Sequence, residues 1–172
     1  MAMVRYIDPQ KCIGCRACEV ACQRVHDGIS NVTVYIVEEA ELNIPYACRH
    51  CENAPCVSVC PTGAMHREDL GAVVVNPVLC IGCRMCQVVC PFGIPVFDRK
   101  LKVMTKCDLC INRLKEGLRP ACVSTCPTGA TYLAEEAEAL GMKRELGVRK
   151  IVEAVTKAKE LGGLEGVVTS KG

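Results

Sequence analysis

Tryptophan is absent from the 172-residue chain, and aromatic bulk is limited to 4 Tyr and 2 Phe. A domain of this length ordinarily fills its interior with large apolar and aromatic side chains, so something else must take part of that role. There is no run of about 18 apolar residues to cross a bilayer, so direct membrane insertion is not expected. The first residues, MAMVRYIDPQKC, show neither an apolar signal core nor a twin-arginine pair. No export signal is therefore expected, and the expected location is cytoplasmic, peripheral to a membrane at most through partner subunits. An excess of one charge is missing too. Lys plus Arg number 21 and Asp plus Glu 19, and a formal charge of +2 gives no argument for a nucleic-acid partner.

Cysteine is abundant instead, with 16 residues. In a short secreted chain such a level indicates a disulfide scaffold, but inside the cell thiols stay reduced and point to metal or redox chemistry. The cysteines fall into four groups of four. Cys12, Cys15, Cys18 and Cys22 follow C-x2-C-x2-C-x3-C, as do Cys80, Cys83, Cys86 and Cys90. Cys48, Cys51, Cys56 and Cys60 follow C-x2-C-x4-C-x3-C, and Cys107, Cys110, Cys122 and Cys126 follow C-x2-C-x11-C-x3-C. Groups one and three, CIGCRACEVAC and CIGCRMCQVVC, agree at 8 of 11 positions. Groups two and four share CVSVCPTGA and CVSTCPTGA, identical at 8 of 9. The A-B-A′-B′ order reads as an internal duplication.

Between these groups the local signals are weak. Residues 32–37 and 73–75 are β-branched runs that predict short strands. Asp69-Leu70-Gly71 predicts the tip of a hairpin joining 65–68 to 72–76. Short helical turns are expected over 17–22, 57–60, 85–90 and 123–126. Pro61, Pro91 and Pro127 would stop three of them, whereas group one has Gln23 at that position. Beyond residue 133 the cysteines end. Residues 135–140 and 143–161 predict helix, weakened at Gly147 and ended by Gly162-Gly163. Val148, Ile151, Val152, Val155 and Ala158 form a stripe that packs on its own domain or docks a partner.

The spacings point to iron–sulfur cubanes. A C-x2-C-x2-C loop can wrap one corner of a cubane and reach three irons, and the cysteine after the x3 gap faces elsewhere. In two-cluster ferredoxins that cysteine ligates the neighbouring cluster. Gly14, Ala17 and Gly82 are small enough to let backbone N–H groups approach the sulfurs. Zinc is the competing metal, and Cys48/Cys51 with Cys107/Cys110 would make a four-thiolate site. Zinc leaves the remaining cysteines unused, whereas four cubanes use all 16. Cysteine fills every ligand position, so His26, His50 and His66 are not expected to bind metal, although His50, between two ligands, can tune a cluster. Each oxidised cluster with four thiolates carries about −2, which brings the loaded chain to about −6. Arg99, Lys100, Lys102, Lys106, Arg113, Lys115 and Arg119 either offset that charge, dock an acidic carrier, or form an ordinary solvated face. No nucleotide-binding glycine motif and no nucleophile–base constellation is present, so a non-catalytic role is expected.

Over residues 3–133, CRHCENAPCVSVCPTGA and KCDLCINRLKEGLRPACVSTCPTGA resemble the four-cluster ferredoxin-type electron-transfer subunits of molybdenum and tungsten oxidoreductases. That family includes the iron–sulfur subunits of formate dehydrogenase, formate hydrogenlyase, dimethyl sulfoxide reductase and tungsten aldehyde oxidoreductases. The carbon monoxide dehydrogenase-associated ferredoxin-like protein is similar. The resemblance implies a small α+β fold of two dicluster modules with nested pairing, group one with four and group two with three. Module one would span about 1–45 plus 99–133, module two about 46–98, and 134–172 would be a helical extension. It implies four [4Fe–4S] clusters: Cys12, Cys15, Cys18 and Cys126 for cluster one; Cys22, Cys107, Cys110 and Cys122 for cluster two; Cys48, Cys51, Cys56 and Cys90 for cluster three; Cys60, Cys80, Cys83 and Cys86 for cluster four. The implied partner is a large catalytic subunit, a molybdenum or tungsten pterin enzyme acting on formate or aldehyde, with a soluble ferredoxin or further redox subunit at the other end. A carbon monoxide dehydrogenase or hydrogenase is the alternative partner, and a zinc scaffold the remote alternative function.

Overall fold

Up to residue 135, short two-stranded ladders and helical turns alternate along the chain, because glycine, proline and cysteine interrupt the runs before they lengthen. The computed structural model describes residues 3–160. In order, the elements are β1 (Met3–Ile7), α1 (Ala17–Val25), β2 (Thr33–Val37), β3 (Leu42–Tyr46), α2 (Pro55–Ser58), β4 (Met65–Arg67) and β5 (Val73–Val75). They continue with α3 (Met85–Val89), β6 (Val96–Phe97), β7 (Met104–Thr105), α4 (Ile111–Lys115), α5 (Ala121–Ser124), β8 (Thr131–Glu135) and α6 (Glu136–Glu160). This is a small mixed α+β architecture.

All four ladders are antiparallel, and three join neighbours in sequence: β2 with β3, β4 with β5, β6 with β7. The fourth pairs β1 with β8, from Met3 opposite Glu135 to Ile7 opposite Thr131. Tyr6 and Tyr132 face each other there, ring centroids 4.9 Å apart. The expected hairpin is present, with Met65 opposite Val75 and a tight turn over Asp69–Gly71 in which Leu70 takes φ +62°. β1, β3, β6–β7 and β8 were not anticipated. Two residues per strand leave no alternation to read, and Pro45 inside β3 argues locally against a strand. It is tolerated because β3 has only one partner.

The helical turns are displaced from the expected positions by proline. Pro55 occupies the first turn of α2, and Pro120 stands at the N-cap of α5. These helices therefore begin and end earlier than the cysteine spacing implied. α2, α3 and α5 all end before the last cysteine of their group, which precedes proline. In α1, where Gln23 replaces that proline, the helix runs through Cys22 to Val25.

Buried side chains form three small clusters rather than one aromatic core. The first joins Cys18, Cys22, Val32, Val34, Cys122 and Val123. In the second, Met65, Val73, Cys86 and Met104 pack with Cys51, Cys56, Cys60 and Cys80. The third, around Val74, Leu109 and Ile111, has no thiol. The chain divides into two compact units, one ending at Glu136 and the other starting at Ala137. The 25-residue helix α6, which starts at the last residue of the first unit, runs into the second as one helix, not the two segments expected. Gly141 and Gly147 each cost about 1 kcal/mol against alanine, but the strong helix formers around them propagate the helix through both. Val148, Ile151, Val152 and Val155 are exposed along it. Gly162-Gly163 lies outside the described residues.

Candidate metal centres

Each CIGCR segment folds in the same way. Gly14 and Gly82 take φ +70° and +67°, and Arg16 and Arg84, at the N-caps of α1 and α3, take +57° and +64°. The sequence repeat is thus a backbone repeat. The glycines answer to crowding as well as to the left-handed conformation. A Cβ on Gly82 would lie 2.6 Å from the Lys102 carbonyl oxygen, and one on Gly14 would lie 2.9 Å from Asn43 Oδ1. Four amides reach a sulfur from other positions. Asn31 N–H donates to Cys22 Sγ at 3.2 Å, and His50, Met65 and Met104 amides donate to Cys48, Cys60 and Cys80, each at 3.4 Å. Three of these donors, Asn31, Met65 and Met104, come from strands and loops after their motifs, where motif spacing does not reveal them, and the fourth, His50, lies within motif two.

The cysteines gather across the chain. α1 packs against α5, and α2 against α3. One cavity is lined by Cys12, Cys15, Cys18 and Cys126, a second by Cys48, Cys51, Cys56 and Cys90, and a third by Cys60, Cys80, Cys83 and Cys86. Cys22, Cys107 and Cys122 meet in the first buried cluster, and Cys110 lies close enough to Cys122 for their charges to repel. All 16 cysteines are free of disulfides.

The electrostatics fit bound metal. Burial pushes the Cys107 thiol up to about 12 and those of Cys18 and Cys86 to about 11, with neighbouring thiolates adding to the effect. So many thiolates need a bound cationic core to offset their mutual repulsion. Cys60 and Cys126 behave differently. Burial opposes their ionisation, yet the amides of Met65 and Thr131 and the hydroxyls of Thr62 and Thr128 hold both thiols below the ordinary value. Each hydroxyl sits 3.7 Å from its sulfur, so the CPTGA repeat also repeats a hydrogen bond.

The histidines divide by environment. His50 Nδ1 accepts the Val73 N–H at 3.0 Å, which leaves the proton on Nε2, a buried atom with no partner. Burial, with Lys106 and Arg5 nearby, lowers its pKa to about 3, so the ring is a neutral donor inside a ligand loop. His26 caps α1 and bridges Asp108, at 3.0 Å from Nε2, to the Cys22 carbonyl, at 2.9 Å from Nδ1. Hydrogen bonds to Asp108 first, then to the Cys22 sulfur at 3.6 Å from Nδ1 and to the Cys22 carbonyl, raise its pKa to about 11 against the opposing effect of burial. His26, Asp108 and Cys110 are the one His/Asp/Cys group among the described residues close enough to share an ion. The imidazolium–carboxylate pair accounts for their proximity. His66 lies in β4 and contacts Glu68.

The basic run splits as well. Arg99, Lys100, Lys102, Lys115 and Arg119 are exposed, and Lys115 pairs with Glu68 at 2.9 Å. Lys106 is buried, with its ammonium 3.6 Å from Cys48 Sγ. A second buried cation, Arg5, points inward from β1 and was not anticipated. An arginine inside the pattern MVRYI carries no local mark of its burial.

Comparison with known proteins agrees with this chemistry. A 4Fe-4S dicluster domain model matches residues 39–136, and a second 4Fe-4S dicluster domain model matches residues 11–65. The thiosulfate reductase electron transfer subunit PhsB of Salmonella typhi is 46% identical over 135 residues, covering 72% of this chain and 70% of the relative. The B subunit of the anaerobic dimethyl sulfoxide reductase of Haemophilus influenzae is 38% identical, covering 75% of this chain and 72% of the relative. The corresponding subunit of Escherichia coli K12 is 39% identical, covering 73% and 69%. Two dicluster matches and 16 cysteines fit four [4Fe–4S] clusters.

Proposed function

The chain belongs to the 4Fe-4S dicluster family, and from that premise we propose that it is the electron-transfer subunit of an oxidoreductase complex. The observation that carries the proposal is the gathering of twelve cysteines into three quartets around separate cavities, with Cys22, Cys107 and Cys122 meeting in a buried cluster. We assign cluster one to Cys12, Cys15, Cys18 and Cys126, cluster two to Cys22, Cys107, Cys110 and Cys122, cluster three to Cys48, Cys51, Cys56 and Cys90, and cluster four to Cys60, Cys80, Cys83 and Cys86. Each cluster, when bound, supplies one-electron chemistry. The chain's own residues hold the sulfurs, donate hydrogen bonds to them and exclude water.

Contacts support the order one–two–three–four. Quartets one and two share the first buried cluster, and quartets three and four share the second. Two and three approach where Lys106 contacts both Cys48 Sγ and the Cys107 carbonyl. The outer quartets reach the surface at Cys15 and Cys83, both exposed, so electrons enter and leave at the two ends. Tunnelling rates fall steeply with distance, and four short hops serve where one long one would not. In this reading we take module one as residues 1–45 plus 99–133, module two as 46–98, and 134–172 as the extension.

The partner in this reading is a catalytic reductase subunit with a molybdenum or tungsten pterin centre. The named relatives belong to thiosulfate and dimethyl sulfoxide reductases, and none of the three carries a formate or aldehyde name, so an oxidised sulfur substrate of the partner is favoured. Among the described residues no helix is long and apolar enough to cross a membrane. A reducing, cytoplasmic setting suits free thiols awaiting iron. A zinc site made from Cys48/Cys51 and Cys107/Cys110 would break two quartets and leave the cavity-lining partners Cys56 and Cys90 unused. The test is co-purification of the tagged chain from its source cells, with metal analysis of what accompanies it. A large subunit containing molybdenum or tungsten is expected, and one containing only flavin or nickel would overturn the partner assignment.

A further inference from the structure

Two full positive charges are buried where quartets two and three meet. Arg5 is 8% exposed and Lys106 7%, and neither pairs with a carboxylate among the described residues. Lys106 directs its ammonium to three acceptors: Cys48 Sγ at 3.6 Å, the Val73 carbonyl, and the Cys107 carbonyl at 2.9 Å. Arg5 donates from Nη2 to the Pro45 carbonyl at 3.2 Å, while its Nε and Nη1 are buried without a partner. Its charge favours the thiolates of Cys107 and Cys122, and that of Lys106 favours the thiolate of Cys56. Buried cations without a counter-anion are strongly disfavoured. Two anionic clusters, one on either side, would supply it.

We propose that Arg5 and Lys106 form a fixed cationic seam between clusters two and three that raises the reduction potentials of these central clusters relative to the outer ones. The inference rests on the quartet assignment above. Reduction takes a cubane from about −2 to about −3, so a nearby positive charge favours the reduced form. The effect is strongest in the interior, where the dielectric is low, and is screened at the outer quartets, which open to water at Cys15 and Cys83. Without the seam, two anionic clusters facing each other would make the middle of the relay the least favourable place for an electron. The step it assists is a plain one-electron exchange: the donating cluster is oxidised by the unit that reduces its neighbour, and no proton moves.

The test is a redox titration of the iron-loaded full chain followed by electron paramagnetic resonance, with iron and acid-labile sulfide counted on the same samples. Lys106→Met and Arg5→Met are expected to lower the reduction equilibrium of the same two clusters about tenfold, about 59 mV for one electron. The other two clusters should stay unmoved. The surface variant Lys100→Met should shift none, and Lys106→Arg should keep the wild-type pattern. Four unchanged potentials in the methionine variants, or equal shifts in all four, would overturn the seam. If the methionine variants lose iron, Lys106→Arg decides: unshifted central potentials support a role for the charge, and central potentials lowered about tenfold contradict it. A wild-type chain without four clusters would instead defeat the quartet assignment, so the two failures are distinguishable.

Discussion

Cys126 lines a cavity with Cys12, Cys15 and Cys18, although most of the first unit separates them in sequence. Under the proposed assignment, Cys126→Ser and Cys12→Ser perturb the same cluster signal, and Cys60→Ser perturbs a different one. Electron paramagnetic resonance of the three reduced variants checks this. A common effect of Cys12→Ser and Cys60→Ser would mean the modules pair in sequence order. The hydroxyl beside Cys126 makes a smaller contribution. Thr128→Val removes a donor 3.7 Å from the sulfur and is expected to lower that cluster's reduction equilibrium by up to about tenfold, about 59 mV. An unchanged potential would make Thr128 a turn residue only. At this scale the ligands were legible and the charges around them were not. Sixteen cysteines at repeating intervals announce themselves. Lys106 hides in a basic run whose other members lie at or near the surface, and Arg5 in a strand whose partner is at the far end of the domain.

The elements are short because they serve loops. Gly82 shows how little freedom those loops have. Alanine there would face both a left-handed φ, costing about 1–2 kcal/mol, and the Lys102 carbonyl at 2.6 Å. Gly82→Ala should therefore lower the thermal midpoint of the loaded chain and its iron content together, whereas Gly129→Ala, with open space around its Cβ position, should lower stability less. Equal effects at both positions would show that the contact with Lys102 is immaterial. The helix of the second unit begins where the first unit ends, at Glu136. A chain ending there is expected to bind iron at the full chain's stoichiometry, and loss of iron would tie the helix to cluster binding. Local patterns identified the β4–β5 hairpin and the helical turns but shifted the latter, because proline at a helix start outranks the cysteine spacing. The β1–β8 ladder was illegible: a strand pair closed by the whole domain leaves no mark in a short window.

For the molecule as a whole, the missing aromatic bulk has a physical counterpart. Cysteines sit in or against two of the three buried clusters, and the third is small. Buried thiols whose ionisation is disfavoured, and two buried cations paired with no carboxylate among the described residues, make an interior that bound clusters would balance. Removing iron should therefore unfold the first unit, seen as loss of its circular dichroism signal, and a native-like apo spectrum would make the clusters dispensable to the fold. The central claim, a four-cluster relay, is tested most directly by counting iron and acid-labile sulfide in the anaerobically purified chain. The expected result is about sixteen of each per chain, four per quartet. A colourless protein holding zinc and no acid-labile sulfide would contradict it.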